Sequence, residues 1–272
     1  MAVAVPPTGT PEPASELADA APQPSRRGSP PGAFVRLYGV FLRHLLTWGR
    51  ATVIVALGGL AVLVALAVNV AANEASSTTD PVTAGTELMN RFGFTTVVPI
   101  CALVFASSAL GDTVDDRTLV YLWLTPVARW RMAAAATLAS ATVALPLVFV
   151  PLVLAAAATG AGGALMGGTA VATIVGVIGY SGVFVTLGLK FKRALVWGIA
   201  YILIWEGFVA TASETAAKLS LRAYTASILS QYTGVGLRLG TLTLGSSLLV
   251  PPLVALAFTA LTARLLARTD VD

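Results

Sequence analysis

The chain has 272 residues, 56% of them hydrophobic and only 11% charged, with 17 Lys and Arg against 13 Asp and Glu. A soluble domain carries about 25% charged residues, so this composition, with a mean hydropathy of +0.82, excludes an ordinary water-soluble fold. One Cys and one His leave no material for a disulfide framework or a Cys/His metal centre, and no cofactor is expected. A Ser/His/Asp hydrolase is set aside because it would have to use His44, which sits before the first apolar run among Arg residues.

Residues 1–32 are rich in Pro, Ala, Ser and Gly, with Glu12, Glu16 and Asp19 but almost no large apolar side chains. Such a stretch cannot bury enough surface to offset its ordering entropy, which predicts a disordered cytoplasmic tail. Arg26-Arg27 is followed by Gly28-Ser29-Pro30-Pro31 rather than an apolar core, so it does not read as an export signal. Residues 33–272 are expected to form one all-α, polytopic domain of six transmembrane helices. At its start Phe34, Leu37, Phe41 and Leu45 recur at helical spacing, with Arg36 and Arg43 off that stripe. This pattern predicts an interfacial helix leading into the membrane.

Six apolar runs follow, at 51–72, 93–110, 132–158, 169–189, 194–212 and 242–261, each near the length that crosses a bilayer. Pro146 and Pro151 fall in the third, where a helix bundle tolerates them. Cys101 lies in the second and reads as a small buried hydrophobe. The polar residues 73–92 read as an external loop, and 159–168 as a tight external turn. Its spacing Gly162-x-x-x-x-Gly167-Gly168-Thr169 mimics a phosphate-binding loop but places Gly where that motif needs Lys. Gly163 and Gly167 are candidates for close helix packing. Residues 213–241 interleave Leu, Ile and Tyr with Ser and Thr, predicting short external re-entrant helices before the last span.

Counted by these spans, 13 of the 17 cations fall on the side of the two termini and 4 (Arg91, Lys218, Arg222 and Arg238) on the other. The positive-inside rule then predicts a multi-pass cell-membrane protein with both termini cytoplasmic. The basic balance is accounted for by topology, so no nucleic-acid partner is expected; membrane lipid is.

Between the second and third runs the chain reads DDRTLVYLWLTPVARW, from Asp115 to Trp130. Asp112 or Thr113 can cap a short cytoplasmic helix with Asp115 and Asp116 in its first turn, favourable to the positive dipole end. Leu119, Leu122 and Trp123 share one face, and Pro126 ends the helix. Nothing in the membrane requires that apolar face, so it wants a protein partner.

In Asp116-Arg117-Thr118-Leu119 and Pro126-Val127-Ala128-Arg129 the insert resembles the ABC-2 type permeases, the membrane subunits of ABC exporters. Those loops commonly read acid-Gly-Thr-Leu and Pro-Val-Ser-Arg, so Arg117 and Ala128 depart from the pattern, as does the lack of a Lys over 133–136. Span count, loop sizes and a Trp-Glu pair in the fifth span extend the resemblance over nearly the whole chain. It implies a coupling helix (Asp115, Asp116, Thr118, Leu119, Leu122, Trp123, Pro126 and Arg129) that docks on a nucleotide-binding ATPase subunit, and a homodimeric or heterodimeric permease. The chain itself is then non-catalytic.

Glu206, in YILIWEGFVA, is the one charged residue well inside an apolar run. An isolated carboxylate there costs about 2.5–3.5 kcal/mol, so it is expected to face the bundle or a wet cavity. It is either part of a translocation path or a packing acid near the outer interface. The leading expectation is an exporter permease. A secondary transporter using Glu206 as a proton or cation relay, or a structural or sensory membrane protein, stays open.

Overall fold

The computed structural model describes residues 32–74, 80–115 and 127–268. Among these there is no strand, and six helices are long and apolar enough to cross a membrane, which makes this an all-α, multi-pass membrane protein. Helix α1 (Ala33–Leu45) precedes α2 (Trp48–Glu74). The second span starts as α3 (Pro81–Leu88), passes through a π-helical segment (Met89–Val97) and continues as α4 (Val98–Asp115). Then come α5 (Arg129–Ala158) and α6 (Gly163–Lys190). The fifth span joins α7 (Ala194–Ala200), a second π-helical segment (Tyr201–Val209) and α8 (Ala210–Ala212). Short α9 (Glu214–Ala217) and α10 (Leu221–Thr233) lead to the last span, α11 (Leu244–Arg268).

The amphipathic reading of α1 holds. Phe41 and Leu45 are buried, Phe34 and Leu37 are packed against the core, and the Tyr38 hydroxyl donates to Thr142 Oγ1 of α5 at 2.9 Å. A break at Leu46 and Thr47 separates it from the first span. Trp48, Trp130 and Trp197 begin the first, third and fifth spans and are all exposed. Three indoles in the first turns of three helices that start at one end of the bundle mark a headgroup level there.

Three sequence expectations need correcting. Residues 73–92 are not all loop, because the helix of the second span begins at Pro81. Two of its polar residues, Thr86 and Asn90, face inward and are buried. Glu87 and Arg91 therefore share the membrane helix, and Glu206 is not the only ionisable group on a span. The turn at 159–168 is only Thr159 to Gly162, where Gly160 and Gly162 take φ values of 72° and 87° that a side chain would resist. Beyond it the phosphate-loop mimic is regular helix. Gly163 has open space around it, whereas Gly168 backs onto Tyr232.

Helix α6 is the hub, packed against α4, α5, α10 and α11. It approaches two of these neighbours closely because glycines stand at the crossings. A Cβ on Gly182 would lie 2.8 Å from the Ala255 carbonyl oxygen, and one on Gly188 would collide with the Ser107 backbone. In lipid, close backbone approach of this kind replaces the hydrophobic effect as the source of helix association. Hydroxyls add to it: Thr186 Oγ1 meets Thr262 Oγ1 at 2.8 Å, and Thr259 Oγ1 meets Thr137 Oγ1 at 3.2 Å. The two prolines of α5 leave it continuous, and Pro151 seats on Gly58 of α2.

Overpacking a tight core costs about 1–3 kcal/mol. Gly182→Val is therefore expected to lower the thermal midpoint of the detergent-purified protein well below that of Gly163→Ala, which adds its methyl to open space. Equal midpoints for the two would show that the α6–α11 crossing is not close.

Candidate functional site

Two regions hold the sequence-predicted site residues, at opposite ends of the bundle. At the end of the three indoles, α4 runs on through Asp112 to Asp115. Asp112 consequently does not cap a new helix. It accepts from Arg50 Nη2 at 2.7 Å and lies 3.3 Å from His44 Nε2, tying the second span to the junction of α1 and α2. Asp115 is the last described residue of α4. Asp116, Thr118, Leu119, Leu122, Trp123 and Pro126 lie outside the described residues. Arg129 begins α5, with Nη1 3.8 Å from Met132 Sδ. Beside this junction lies a cavity of 290 Å³ lined by Ser108, Asp112 and Leu195. It is also lined by Arg193, the described non-glycine residue held at positive φ, 59°. Such a conformation costs of order 1–3 kcal/mol and persists only where surroundings impose it.

At the other end Glu206 is 2% exposed, and each carboxylate oxygen takes one hydroxyl and one backbone N–H. Oε1 accepts from Tyr201 Oη at 3.1 Å and from the Leu221 N–H at 3.2 Å. Oε2 accepts from Ser220 Oγ and from the Arg222 N–H at 3.3 Å. Ser220 is the N-cap of α10, and its Oγ accepts from the Ala223 N–H at 3.4 Å. With the Ser220 N–H given to the Ala217 carbonyl at 3.0 Å, all four free N–H groups that open the helix are satisfied, two of them by a carboxylate from another span. The negative charge also sits at the positive end of the helix dipole.

Helix α10 is the re-entrant helix anticipated at 213–241. Its residues Leu221 and Ala223 to Leu229 are buried, so protein covers the backbone as a helix in lipid requires. Tyr201 is held in turn by Phe184 of α6, edge-on with ring centroids 5.9 Å apart. The sequence gives Glu206 as a buried acid but not its partners, since fourteen residues separate it from Ser220. A Ser followed by a helix-forming run was the available cue to the cap.

Alongside the cap a cavity of 510 Å³ opens between the fifth and sixth spans, lined by Tyr201, Trp205, Leu221, Tyr224, Val254 and Phe258. Its walls are almost wholly apolar or aromatic, suited to an acyl chain or a hydrophobic ring system. Among the described residues no group of three or more His, Cys, Asp or Glu is placed to hold a metal ion. Compared with known protein families, curated proteins and solved structures, the chain matches none.

Proposed function

We propose that the chain is the membrane-embedded, non-catalytic subunit of an ATP-driven exporter of the ABC-2 type, acting as a dimer with a separate nucleotide-binding ATPase. The observation that carries this is the ordering of parts. An amphipathic helix precedes six spans, and re-entrant helices separate the last two. The one insert with an exporter-like motif lies between spans two and three, at the end where the cations gather. The Asp112–Arg50–His44 cluster supports the same reading, because it would brace the base of a coupling helix against α1 and α2. Cargo with an apolar moiety suits the cavity between spans five and six. Glu206 is the candidate residue of the translocation path through its link between the fifth span and α10.

The reading is tested by co-purifying the chain with a candidate ATPase and following cargo-stimulated ATP hydrolysis in vesicles. An ATPase that neither assembles with the chain nor responds to it would leave the secondary-transporter reading ahead. The purified chain alone is expected neither to bind nor to hydrolyse ATP, since it has no phosphate-loop Lys. Saturable binding of a fluorescent ATP analogue by the isolated chain would overturn the permease assignment.

The basic end is proposed to face the cytoplasm of the cell membrane. In a Cys101→Ala background, Lys192→Cys and Thr241→Cys each place a thiol at an exposed site at opposite ends. An impermeant maleimide on intact cells is expected to label position 241 and spare 192. The reverse pattern would invert the topology.

A further inference from the structure

Three of the four cations assigned to the sparsely charged end converge on one cavity. Its volume is 410 Å³, and Arg91, Arg222 and Arg238 line it together with Asn90, Thr211 and Glu87. They come from three separate stretches of chain: the π-helical segment of the second span, the first turn of α10, and the strand of coil after α10. Such convergence is unexpected at the end of the bundle from which positive charge is otherwise withheld.

The charge on these guanidiniums is only partly answered. Arg91 pairs with Glu87, Nε to Oε2 at 2.7 Å, through one edge of its fork. Arg238 Nη2 donates to the Thr211 carbonyl at 3.2 Å, and Arg222 Nη1 reaches the Glu206 carbonyl at 3.4 Å, both neutral acceptors. The Glu206 carboxylate is engaged by its own four donors. Glu214 lies in an adjoining recess that shares Thr211 and Arg238, so Glu87 is the one acid that lines the cavity with the three guanidiniums. One buried donor among the lining residues lacks a partner, Arg222 Nε. An unsatisfied buried donor costs about 1–3 kcal/mol, and an acceptor oxygen entering the cavity would relieve it.

We propose that this cavity binds a phosphate-class oxyanion, carried either by a free phosphate or diphosphate or by a phospholipid headgroup. A planar carboxylate is satisfied by one guanidinium fork, whereas a tetrahedral phosphate presents oxygens in several directions and matches forks arriving from different elements. The volume accommodates a diphosphate or a headgroup as well as a single phosphate. The site does not depend on whether the chain is an exporter.

The test uses the full chain in a neutral maltoside detergent, titrated calorimetrically with pyrophosphate in one arm and with dihexanoyl phosphatidylglycerol in the other. At least one probe is expected to bind saturably. Binding of pyrophosphate would assign a soluble ligand, and binding of the lipid alone would assign a headgroup. Arg238→Gln, at an exposed side chain, is expected to weaken binding at least tenfold. Arg222→Gln, which keeps the backbone N–H given to Glu206, should do the same. Lys218→Gln, the remaining cation of that end and outside the cavity, should change it less than twofold. No saturable binding of either probe, or equal losses in the Arg238 and Lys218 variants, would overturn the proposal.

Discussion

Glu206→Leu is expected to destabilise the protein by about 2–4 kcal/mol, because it strands donors that cannot turn elsewhere. The hydroxyls of Tyr201 and Ser220 can rotate to other acceptors. The N–H groups of Leu221 and Arg222 are fixed by the helix and lose their only recorded acceptor. Glu206→Gln is expected to fall between, at about 1–2 kcal/mol. Its one carbonyl oxygen can serve one backbone N–H, its amide can donate to a hydroxyl, and the second N–H then faces an NH₂ group. Thermal unfolding in detergent should therefore rank wild type above Gln and Gln above Leu. Amide exchange at Leu221 and Arg222 should accelerate in the Leu variant before the core of α6 opens. A Leu variant melting with wild type would show that the carboxylate does not hold α10. Transport by the Gln variant across pH, at matched expression, separates this structural duty from a role in the translocation path. An unchanged profile removes Glu206 from that path.

The second large effect is expected at the insert. If Leu119, Leu122 and Trp123 form the face that docks the ATPase, Leu119→Asp with Trp123→Asp places two charges in a contact that must be desolvated. Loss of a buried anchor costs more than about 2 kcal/mol, which is roughly a thirtyfold weaker assembly. Membrane insertion should be unaffected, since neither residue lies in an apolar run. The expected result is normal yield in the membrane fraction, poor co-purification with the ATPase and hydrolysis that no longer responds to cargo. Wild-type co-purification and transport by the double variant would refute the docking face.

The six spans, the amphipathic α1 and the helical character of 213–241 were all legible in the sequence, because each depends on local hydropathy and its period. Hydropathy also misled in a definite way. Residues 81–92 looked like loop since Glu87, Asn90 and Arg91 interrupt the apolar run, yet Asp80-Pro81 is a good helix start and the helix runs on from there. Its polar residues are accommodated because Thr86 and Asn90 turn inward and Glu87 pairs with Arg91. Asp112 was misassigned for a related reason: an acid after an apolar run reads as a cap, and only the fold shows Arg50, sixty-two residues earlier, beside it.

What the sequence determined by itself, then, was where the chain meets lipid and which end carries its positive charge. Those properties are sums over contiguous residues, and solvent transfer acts on each residue nearly independently of the rest. Tertiary structure decided what depends on pairs far apart in the chain. It placed Gly182 against the Ala255 backbone, gave Glu206 to the first turn of α10, and gathered Arg91, Arg222 and Arg238 around one cavity. A hydrogen bond or an ion pair has no meaning until both partners are in place, and here only the packing of α6 with its neighbours brings them together.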